Sequence, residues 1–138
     1  MRPKTIEEYV ETIYCLEKEE GRASTGTLAA LMGVKPPSIT EFLRKLEKEG
    51  FVEYQSHAGA TLTLKGRVLA EELMRKHRAV EEFLITIGIR KEAAEIDACQ
   101  IEHHVSHETI CHIEELIRSI RVTPKIAAWF EEFRKSFP

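Results

Sequence analysis

Residues 24–50 read STGTLAALMGVKPPSITEFLRKLEKEG and contain two short helical patterns joined by a turn. Ser24 precedes an apolar group that ends at Gly33, as expected of a helix with a hydroxyl cap and a left-handed glycine at its end. Pro36 and Pro37 cannot continue that helix, but they suit the first turn of the next one. The apolar stripe of this second helix is Ile39, Phe42, Leu43 and Leu46. The stretch therefore predicts a helix, a tight turn and a helix.

The flanking sequence adds a helix before this unit and a hairpin after it. Thr5 and Glu8 have the spacing of a capping box, and apolar residues recur at three- and four-residue steps until Gly21. Residues 51–54 and 61–64 are two short runs of β-forming residues. This order of elements predicts a winged helix-turn-helix, in which the last helix lies in the DNA major groove and the hairpin touches the flanking backbone.

Helical patterns fill the rest of the chain. They cover about residues 63–87, 91–104 and 106–120, and a segment after Pro124. On the first of these helices, Val68 and Leu73 are expected to point inward. We predict a mainly α fold, with a winged helix-turn-helix domain and a two-stranded wing in residues 1–72 and an all-helical domain in residues 73–138.

Composition and charge narrow the classes of function. The net charge is −3, with 13 basic and 12 acidic residues in residues 1–78 and 7 basic and 11 acidic residues in residues 79–138. The balanced first part is weak electrostatic support for nucleic-acid binding, whereas the acidic second part could hold a cation. Three cysteines without a CxxC pair argue against a disulfide framework. Without a signal peptide or a membrane-length apolar run, we expect a soluble, cytoplasmic protein.

The second helix of the helix-turn-helix carries residues suited to DNA on its polar side. Short hydroxyls near its start can approach base edges, and the cations that follow can reach phosphates. The candidate DNA-binding residues are Lys35, Pro37, Ser38, Thr40, Glu41, Arg44, Lys45 and Lys48. The alternative is that the basic residues are only solvated helix charges interleaved with glutamates.

A mixed set of metal-ligand types occurs within one turn at Cys99-Gln100-Ile101-Glu102-His103. If this segment is helical, its thiol, carboxylate and imidazole share one face. Such ligands suit Fe(II), Co(II), Ni(II) or Zn(II) better than calcium or magnesium. Further candidate ligands are Glu8, Glu11, His77, Glu81 and Glu95. Cys15 and Cys111, each beside an apolar residue, are expected to be core residues.

A second set, Cys99, His103, His107 and Cys111, has a four-residue spacing that resembles a zinc site. Each step of four overshoots a helical turn, and the two cysteines would lie roughly 18 Å apart along a continuous helix. Only a break near Val105 and Ser106 would allow these residues to meet.

Five segments of the sequence together resemble the diphtheria-toxin-repressor and manganese-transport-regulator family of metal-dependent repressors. They are Thr5-Ile6-Glu7-Glu8-Tyr9, Ile13-Tyr14, Leu62-Thr63-Leu64-Lys65-Gly66, Arg75-Lys76-His77-Arg78 with Glu81, and Cys99-Gln100-Ile101-Glu102-His103. The resemblance implies a homodimer that binds palindromic double-stranded operator DNA and represses metal-uptake genes when Fe(II) or Mn(II) is plentiful. It also implies that the helical domain serves dimerisation and metal binding, with Zn(II), Co(II) or Ni(II) as surrogate ions.

The resemblance assigns the ligands to two neighbouring sites. Glu8, Cys99, Glu102 and His103 would form the site nearest the DNA-binding domain, and His77 would serve the adjacent site. Iron-type members complete the adjacent site at the positions of Glu81 and Glu95, the second of which is usually histidine. Manganese-type members use the position of Glu11.

This chain combines features of both subfamilies. Cys99 is the iron-type residue where manganese-type members carry glutamate, and its thiolate favours Fe(II) over Mn(II). Glu8 and Glu11 resemble the manganese type, although Glu8 replaces the usual aspartate. The length of 138 residues leaves no room for the SH3-like domain of the larger iron-type members.

The resemblance also implies a linkage mechanism. An ion joining Glu8 to the ligands of the helical domain would hold the two winged helices of a dimer at the half-site spacing, so that metal favours the DNA-binding state.

Two other functions remain as alternatives. The first is a metal-independent winged-helix regulator that has a structural zinc site. The second is a zinc hydrolase, because Cys99-x-x-Glu102-His103 resembles an inverted zinc-peptidase motif in which Glu102 would be a general base. The winged helix and the absence of a substrate-binding fold argue against an enzyme with a small-molecule substrate.

Overall fold

The computed structural model describes residues 5–138 and confirms the mainly α fold with an N-terminal winged helix. The elements are α1 (Ile6–Glu20), α2 (Thr25–Met32), α3 (Pro36–Lys48), β1 (Val52–Gln55), β2 (Gly59–Leu62), α4 (Leu64–Thr86), α5 (Lys91–Ile101), a 3₁₀ turn (Glu102–His104), α6 (His107–Val122) and α7 (Pro124–Lys135). They form two compact units, the first ending at Glu72 and the second beginning at Leu73. Within residues 5–138, every helix is too short or too polar to cross a membrane.

The first unit is built on α1, α2 and α3. Thr5 and Glu8 form the expected capping box at the start of α1. The side chains that fill the core of this unit are Val10, Ile13, Leu28, Ile39, Leu43, Leu46 and Val52. The ring of Tyr9 on α1 stacks on Phe42 of α3, with centroids 4.0 Å apart. These contacts orient α3 so that its polar side faces solvent.

The wing starts one residue later and ends two residues earlier than the sequence indicates. β1 and β2 pair antiparallel from Val52–Leu62 to Gln55–Gly59. Ala23, in the connection between α1 and α2, exchanges two backbone hydrogen bonds with Ala60, of 2.9 and 2.8 Å. Because of this pairing, residues 59 and 60 belong to the sheet. Residue 63 instead caps α4, because its side-chain hydroxyl accepts a hydrogen bond of 3.2 Å from the backbone N–H of residue 66. The prediction of a strand over residues 61–64 is therefore wrong by two residues.

The second unit packs α4, α5 and α6 around a small core. Ala79, Val80, Ala98 and Ile110 form this core, and partly buried apolar side chains surround it. Two of these four side chains are alanines, so the core of this unit contains few large side chains. In α7, by contrast, no residue is buried.

One expected core position of α4 is wrong. Val68 is 60% exposed, and Ala70, two residues later, is fully buried instead. Ala70 and Leu73, three positions apart, lie on the buried side of the helix, whereas Val68 lies outside it.

Candidate metal centre and nucleic-acid interface

His77 lies at the centre of a group of metal-ligand side chains within the second unit. Its Nδ1 atom is 3.2 Å from Oε2 of Glu102 and 3.7 Å from Sγ of Cys99. One ligand atom from each of these three residues lies within 4.8 Å of the others. An imidazole of α4, a thiol of α5 and a carboxylate that follows α5 therefore converge on a volume of the size that one ion requires.

Glu102 is the most deeply buried charged residue of this group, with 0% exposure. Its two carboxylate oxygens lie beside imidazole nitrogens, 3.2 Å from Nδ1 of His77 and 3.5 Å from Nε2 of His103. Despite these distances, neither oxygen accepts a hydrogen bond of ordinary geometry from the described part of the chain. Because an ionised carboxylate is costly to bury without a counter-charge, these residues fit a bound cation.

Glu81 and His103 complete the surroundings of the group. Oε2 of Glu81 is 3.0 Å from Nε2 of His77, one turn away on α4. This contact orients the imidazole so that its other nitrogen faces Cys99 and Glu102, an arrangement common around metal-bound histidines. The side chain of His103 is 8% exposed and borders the other side of the Glu102 carboxylate.

The helix that carries Cys99 ends three residues earlier than predicted. α5 stops at Ile101, residues 102–104 form a 3₁₀ turn, and Val105 is extended. Ser106 then caps α6 by accepting a hydrogen bond from the backbone N–H of Thr109. Glu102 and His103 therefore lie on a tighter 3₁₀ turn and not on the α-helix that carries Cys99.

The break at Val105 and Ser106 exists, but the four-residue zinc stripe does not assemble. Nε2 of His107 is 3.3 Å from Sγ of Cys111 on α6, whereas Cys99 lies beside His77. Among the described residues, the only group of three or more candidate ligands does not include His107 or Cys111.

The expectation that Cys15 and Cys111 are core residues is wrong. Cys15 is exposed, and Cys111 is half-buried. Nη2 of Arg75 approaches the Cys111 sulfur at 3.6 Å. A neighbouring apolar residue in the sequence therefore did not place either thiol in a core.

The remaining candidate ligands, Glu8, Glu11 and Glu95, differ in burial and in their contacts. Glu8 is half-buried, and its Oε2 accepts a hydrogen bond of 2.7 Å from the backbone N–H of Thr5 in the capping box. Glu11 follows one turn later on α1 and is also half-buried. Glu95, on α5, is exposed and lies outside the group around His77.

One contact that supports the group was not apparent from the sequence. Nζ of Lys76 donates a hydrogen bond of 3.2 Å to the carbonyl oxygen of Val105, just after the 3₁₀ turn. The two residues are 29 positions apart. The sequence carried no signal for this contact because a lysine on a charged helix ordinarily faces solvent.

The polar side of α3 presents the predicted DNA-binding residues. Thr40 is half-buried, and the others are exposed: Lys35, Pro37, Ser38, Glu41, Arg44, Lys45 and Lys48. Lys45 lies over the ring of Phe42, 5.5 Å from its centroid. The hydroxyls near the helix start and the cations near its end are therefore on the surface.

Two glutamates of the first unit accept hydrogen bonds from other parts of the fold. Oε2 of Glu47 accepts a hydrogen bond from the backbone N–H of Tyr54 at 3.0 Å. Glu17 accepts one from the backbone N–H of Leu62 at 3.0 Å and another from Arg67 at 2.8 Å. Arg67 therefore balances the charge of Glu17, whereas Glu47 keeps its negative charge beside the cations of α3, because a backbone N–H is neutral.

Comparison with protein families matches most of the chain. The family model described as iron dependent repressor, N-terminal DNA binding domain, matches residues 2–60. The model described as iron dependent repressor, metal binding and dimerisation domain, matches residues 63–131. The two models together therefore cover both units.

Individual proteins show the same similarity. The chain is 34% identical over 131 residues to the HTH-type transcriptional regulator MntR of Lysinibacillus sphaericus (strain C3-41), covering 95% of this chain and 94% of that protein. Among solved structures, the manganese regulator SloR has a TM-score of 0.71 and 32% identity over 86% of this chain. A manganese-dependent transcriptional repressor in complex with manganese has a TM-score of 0.72 and 31% identity over 82% of this chain. The chain spans 55% and 52% of the length of those two structures.

Proposed function

The chain belongs to the iron-dependent repressor family of metal-dependent, DNA-binding transcriptional repressors, and we propose on this basis that Fe(II) or Mn(II) activates it to repress metal-uptake genes. The protein would act in the cytoplasm, where its operator is. It would bind that operator as a homodimer, in keeping with the dimerisation domain that the family model describes.

The buried carboxylate of Glu102 is the observation that carries the metal part of this proposal. It has 0% exposure, and histidines rather than lysine or arginine flank its oxygens. The thiol of Cys99 provides a third ligand type beside it. A divalent transition ion would neutralise this carboxylate and would bind the imidazole and the thiolate as well.

We assign the remaining ligands from the family resemblance. Glu8 and Glu11 on α1 would join the ligands of the second unit when metal binds. Oε1 of Glu8 can do so without disrupting the capping box, because Oε2 accepts the hydrogen bond from Thr5. Glu81 would act through His77, and Glu95 would ligate only if its exposed side chain turned inward.

These assignments give metal a role in setting the geometry of DNA binding. An ion bound by ligands of both units would favour the arrangement in which the two α3 helices of a dimer fit successive half-sites of a palindrome. A tenfold preference of the ion for that arrangement corresponds to about 1.4 kcal/mol. Each α3 would take one half-site, about one DNA turn from the other.

The thiol of Cys99 favours Fe(II) as the effector over Mn(II). Mn(II) prefers carboxylate and water, whereas a thiolate suits Fe(II) and the later transition metals. Zn(II), Co(II) and Ni(II) would bind the same ligands as surrogates.

The buried position of Glu102 also supports a role other than hydrolysis. A general base in a metallohydrolase must reach a metal-bound water and a substrate at an open coordination position. Glu102 instead has 0% exposure and is flanked by His77 and His103. We infer that the protein has no catalytic activity and no small-molecule substrate.

The test is fluorescence anisotropy of a labelled operator, selected from random DNA, during anaerobic titration with Fe(II), Mn(II) or Zn(II). We expect at least a tenfold gain in DNA affinity with the effector metal, and loss of this gain in Cys99→Ala and His103→Ala. His57→Ala is the matched control, because this histidine is exposed on the wing and should leave the metal response intact.

Two outcomes would refute the proposal. One is DNA binding that is equally tight in chelator and in metal, which would indicate a metal-independent regulator. The other is no binding to any selected DNA under either condition.

A further inference from the structure

Arg22 fastens the tip of the wing from outside the hairpin. Its Nη1 atom donates a hydrogen bond of 2.9 Å to the carbonyl oxygen of Ala58. Ala58 lies in the turn between β1 and β2, beyond the last strand pair at Gln55 and Gly59. The guanidinium group is therefore held beside the exposed tip residues Ser56 and His57.

The backbone beside Arg22 is equally well fixed. Ala23 is fully buried and exchanges two hydrogen bonds with Ala60. Gly59 has a φ of +85°, and a Cβ atom there would lie only 2.3 Å from the carbonyl oxygen of Ala23. The segment that carries Arg22 is thus packed against β2 without space for adjustment.

The charge of Arg22 is not neutralised within the described chain. The residue is exposed, and its hydrogen bond to Ala58 goes to a neutral carbonyl. No ion pair with a carboxylate of residues 5–138 involves it. Arg67 of the same unit differs, because Glu17 pairs with it at 2.8 Å. Arg22 therefore keeps a full positive charge and most of its five N–H donors for another partner.

We propose that Arg22 binds a backbone phosphate of the operator beside the wing, in addition to the contacts made by α3. The inference rests on the proposed function, because it requires that this unit binds DNA. Arginine suits the task because its planar group can donate to Ala58 from one nitrogen and to a phosphate from the others. The hydrogen bond to Ala58 orders the side chain before DNA arrives, so that less conformational entropy is lost on binding.

The experiment measures operator affinity against salt concentration for Arg22→Gln in the presence of activating metal. Each phosphate contact contributes about one unit to the slope of log Kd against log salt. We expect Arg22→Gln to weaken binding roughly three- to tenfold at low salt and to reduce that slope by about two units, one for each subunit of the dimer. The loss of affinity should be similar for operator and non-specific DNA, because a phosphate contact carries no sequence information.

Two further variants serve as controls. Arg90→Gln removes the same charge from an exposed arginine at the start of α5 in the other unit, and it should leave affinity and slope unchanged. Arg22→Lys keeps the charge and should retain the slope of the wild-type protein.

A slope for Arg22→Gln equal to that of the wild type overturns the inference, whether or not affinity falls. Weaker binding at an unchanged slope would mean that Arg22 only fastens the wing. An equal loss in Arg90→Gln would also overturn it, because net charge alone would then account for the effect. Failure of the wild-type protein to bind DNA would instead refute the proposed function.

Discussion

Cys99 is the only thiol in the group around His77, and its replacement should change which metal activates the protein. In Cys99→Glu, a carboxylate replaces the thiolate, and carboxylates suit Mn(II) better than thiolates do. We expect the ratio of the Fe(II) response to the Mn(II) response to fall at least tenfold, measured by operator anisotropy under anaerobic conditions. Cys15→Ser, at an exposed cysteine on α1, should leave the ratio unchanged. An unaltered ratio in Cys99→Glu would show that the thiol does not determine metal preference.

Glu114 provides a test of pH dependence outside the metal group. Arg75 donates hydrogen bonds to both of its carboxylate oxygens, at 3.0 and 2.6 Å, and these hold the pKa of Glu114 below its ordinary value. A carboxyl group with a lowered pKa stabilises the folded state above its unfolded pKa, and this stabilisation is lost as the pH falls through the folded pKa. Both side chains are about one-third exposed, at 38% and 32%, so solvent screens the pair.

We therefore expect Glu114→Gln to lower the free energy of unfolding at pH 7 by no more than about 1 kcal/mol. The difference from the wild-type protein should shrink as the pH falls below about 4. Urea unfolding of both proteins from pH 7 to pH 3 measures this difference in the free energy of unfolding. A difference that is constant over this range would show that the charge of Glu114 does not contribute.

The sequence predicted the role of individual side chains best where several metal-ligand types occur close together. Cys99 and Glu102 were identified because unlike ligand types occurred close together, and the structure brings both to His77. Cys15 was misplaced because an apolar neighbour says little about the direction of a side chain on an amphipathic helix. The Lys76 contact with Val105 depends on tertiary packing, which no local pattern records.

At the scale of elements, Gly59 allows the wing to pack closely against the connection between α1 and α2. An alanine there would adopt a strained positive φ, and its Cβ would clash with the Ala23 carbonyl oxygen. We expect Gly59→Ala to lower the free energy of unfolding by at least about 1 kcal/mol and to weaken DNA binding. Gly26→Ala is the matched control, because a Cβ at this position of α2 meets nothing within 4 Å. It should be neutral or stabilise the protein by up to about 1 kcal/mol in urea unfolding.

If Gly59→Ala proved as stable as the wild type, the close packing of the wing against the α1–α2 connection would be wrong. Near-UV circular dichroism would establish that both variants keep their tertiary structure.

The helices were predicted well because each combines an apolar period with an explicit start or end. Helix α1, for example, begins at its capping box and ends at Gly21, whose φ of +86° requires a glycine. The ends of β2 and α5 were not predicted correctly. A contact with a distant residue shifts β2, and the start of the next helix shortens α5. β2 is shifted by pairing with Ala23, more than 30 residues earlier in the chain. α5 is cut short because Ser106 starts a new helix just beyond it.

For the whole molecule, metal binding and folding should be linked through Glu102. A ligand present at 100 times its Kd stabilises the folded state by about 2.7 kcal/mol. We expect the activating metal to raise the free energy of unfolding by about this amount in wild-type protein at that excess. In Glu102→Gln most of the increase should disappear, while the metal-free protein should be at least as stable because a buried charge is removed.

Urea unfolding at one fixed protein concentration, with chelator or with metal, measures both effects. Glu108→Gln is the control, since this exposed carboxylate on α6 should alter neither value. Full metal stabilisation of Glu102→Gln would contradict the assignment of Glu102 as a ligand.

The aromatic side of α7 has a practical consequence for such experiments. Trp129 is the only tryptophan of the chain, is 59% exposed, and stacks on Phe133 with centroids 5.5 Å apart. Its fluorescence is therefore a label-free optical signal from one known position. Any event that covers α7 will shift the emission to shorter wavelength and slow quenching by acrylamide, whereas events confined to the winged helix will leave the spectrum as it is.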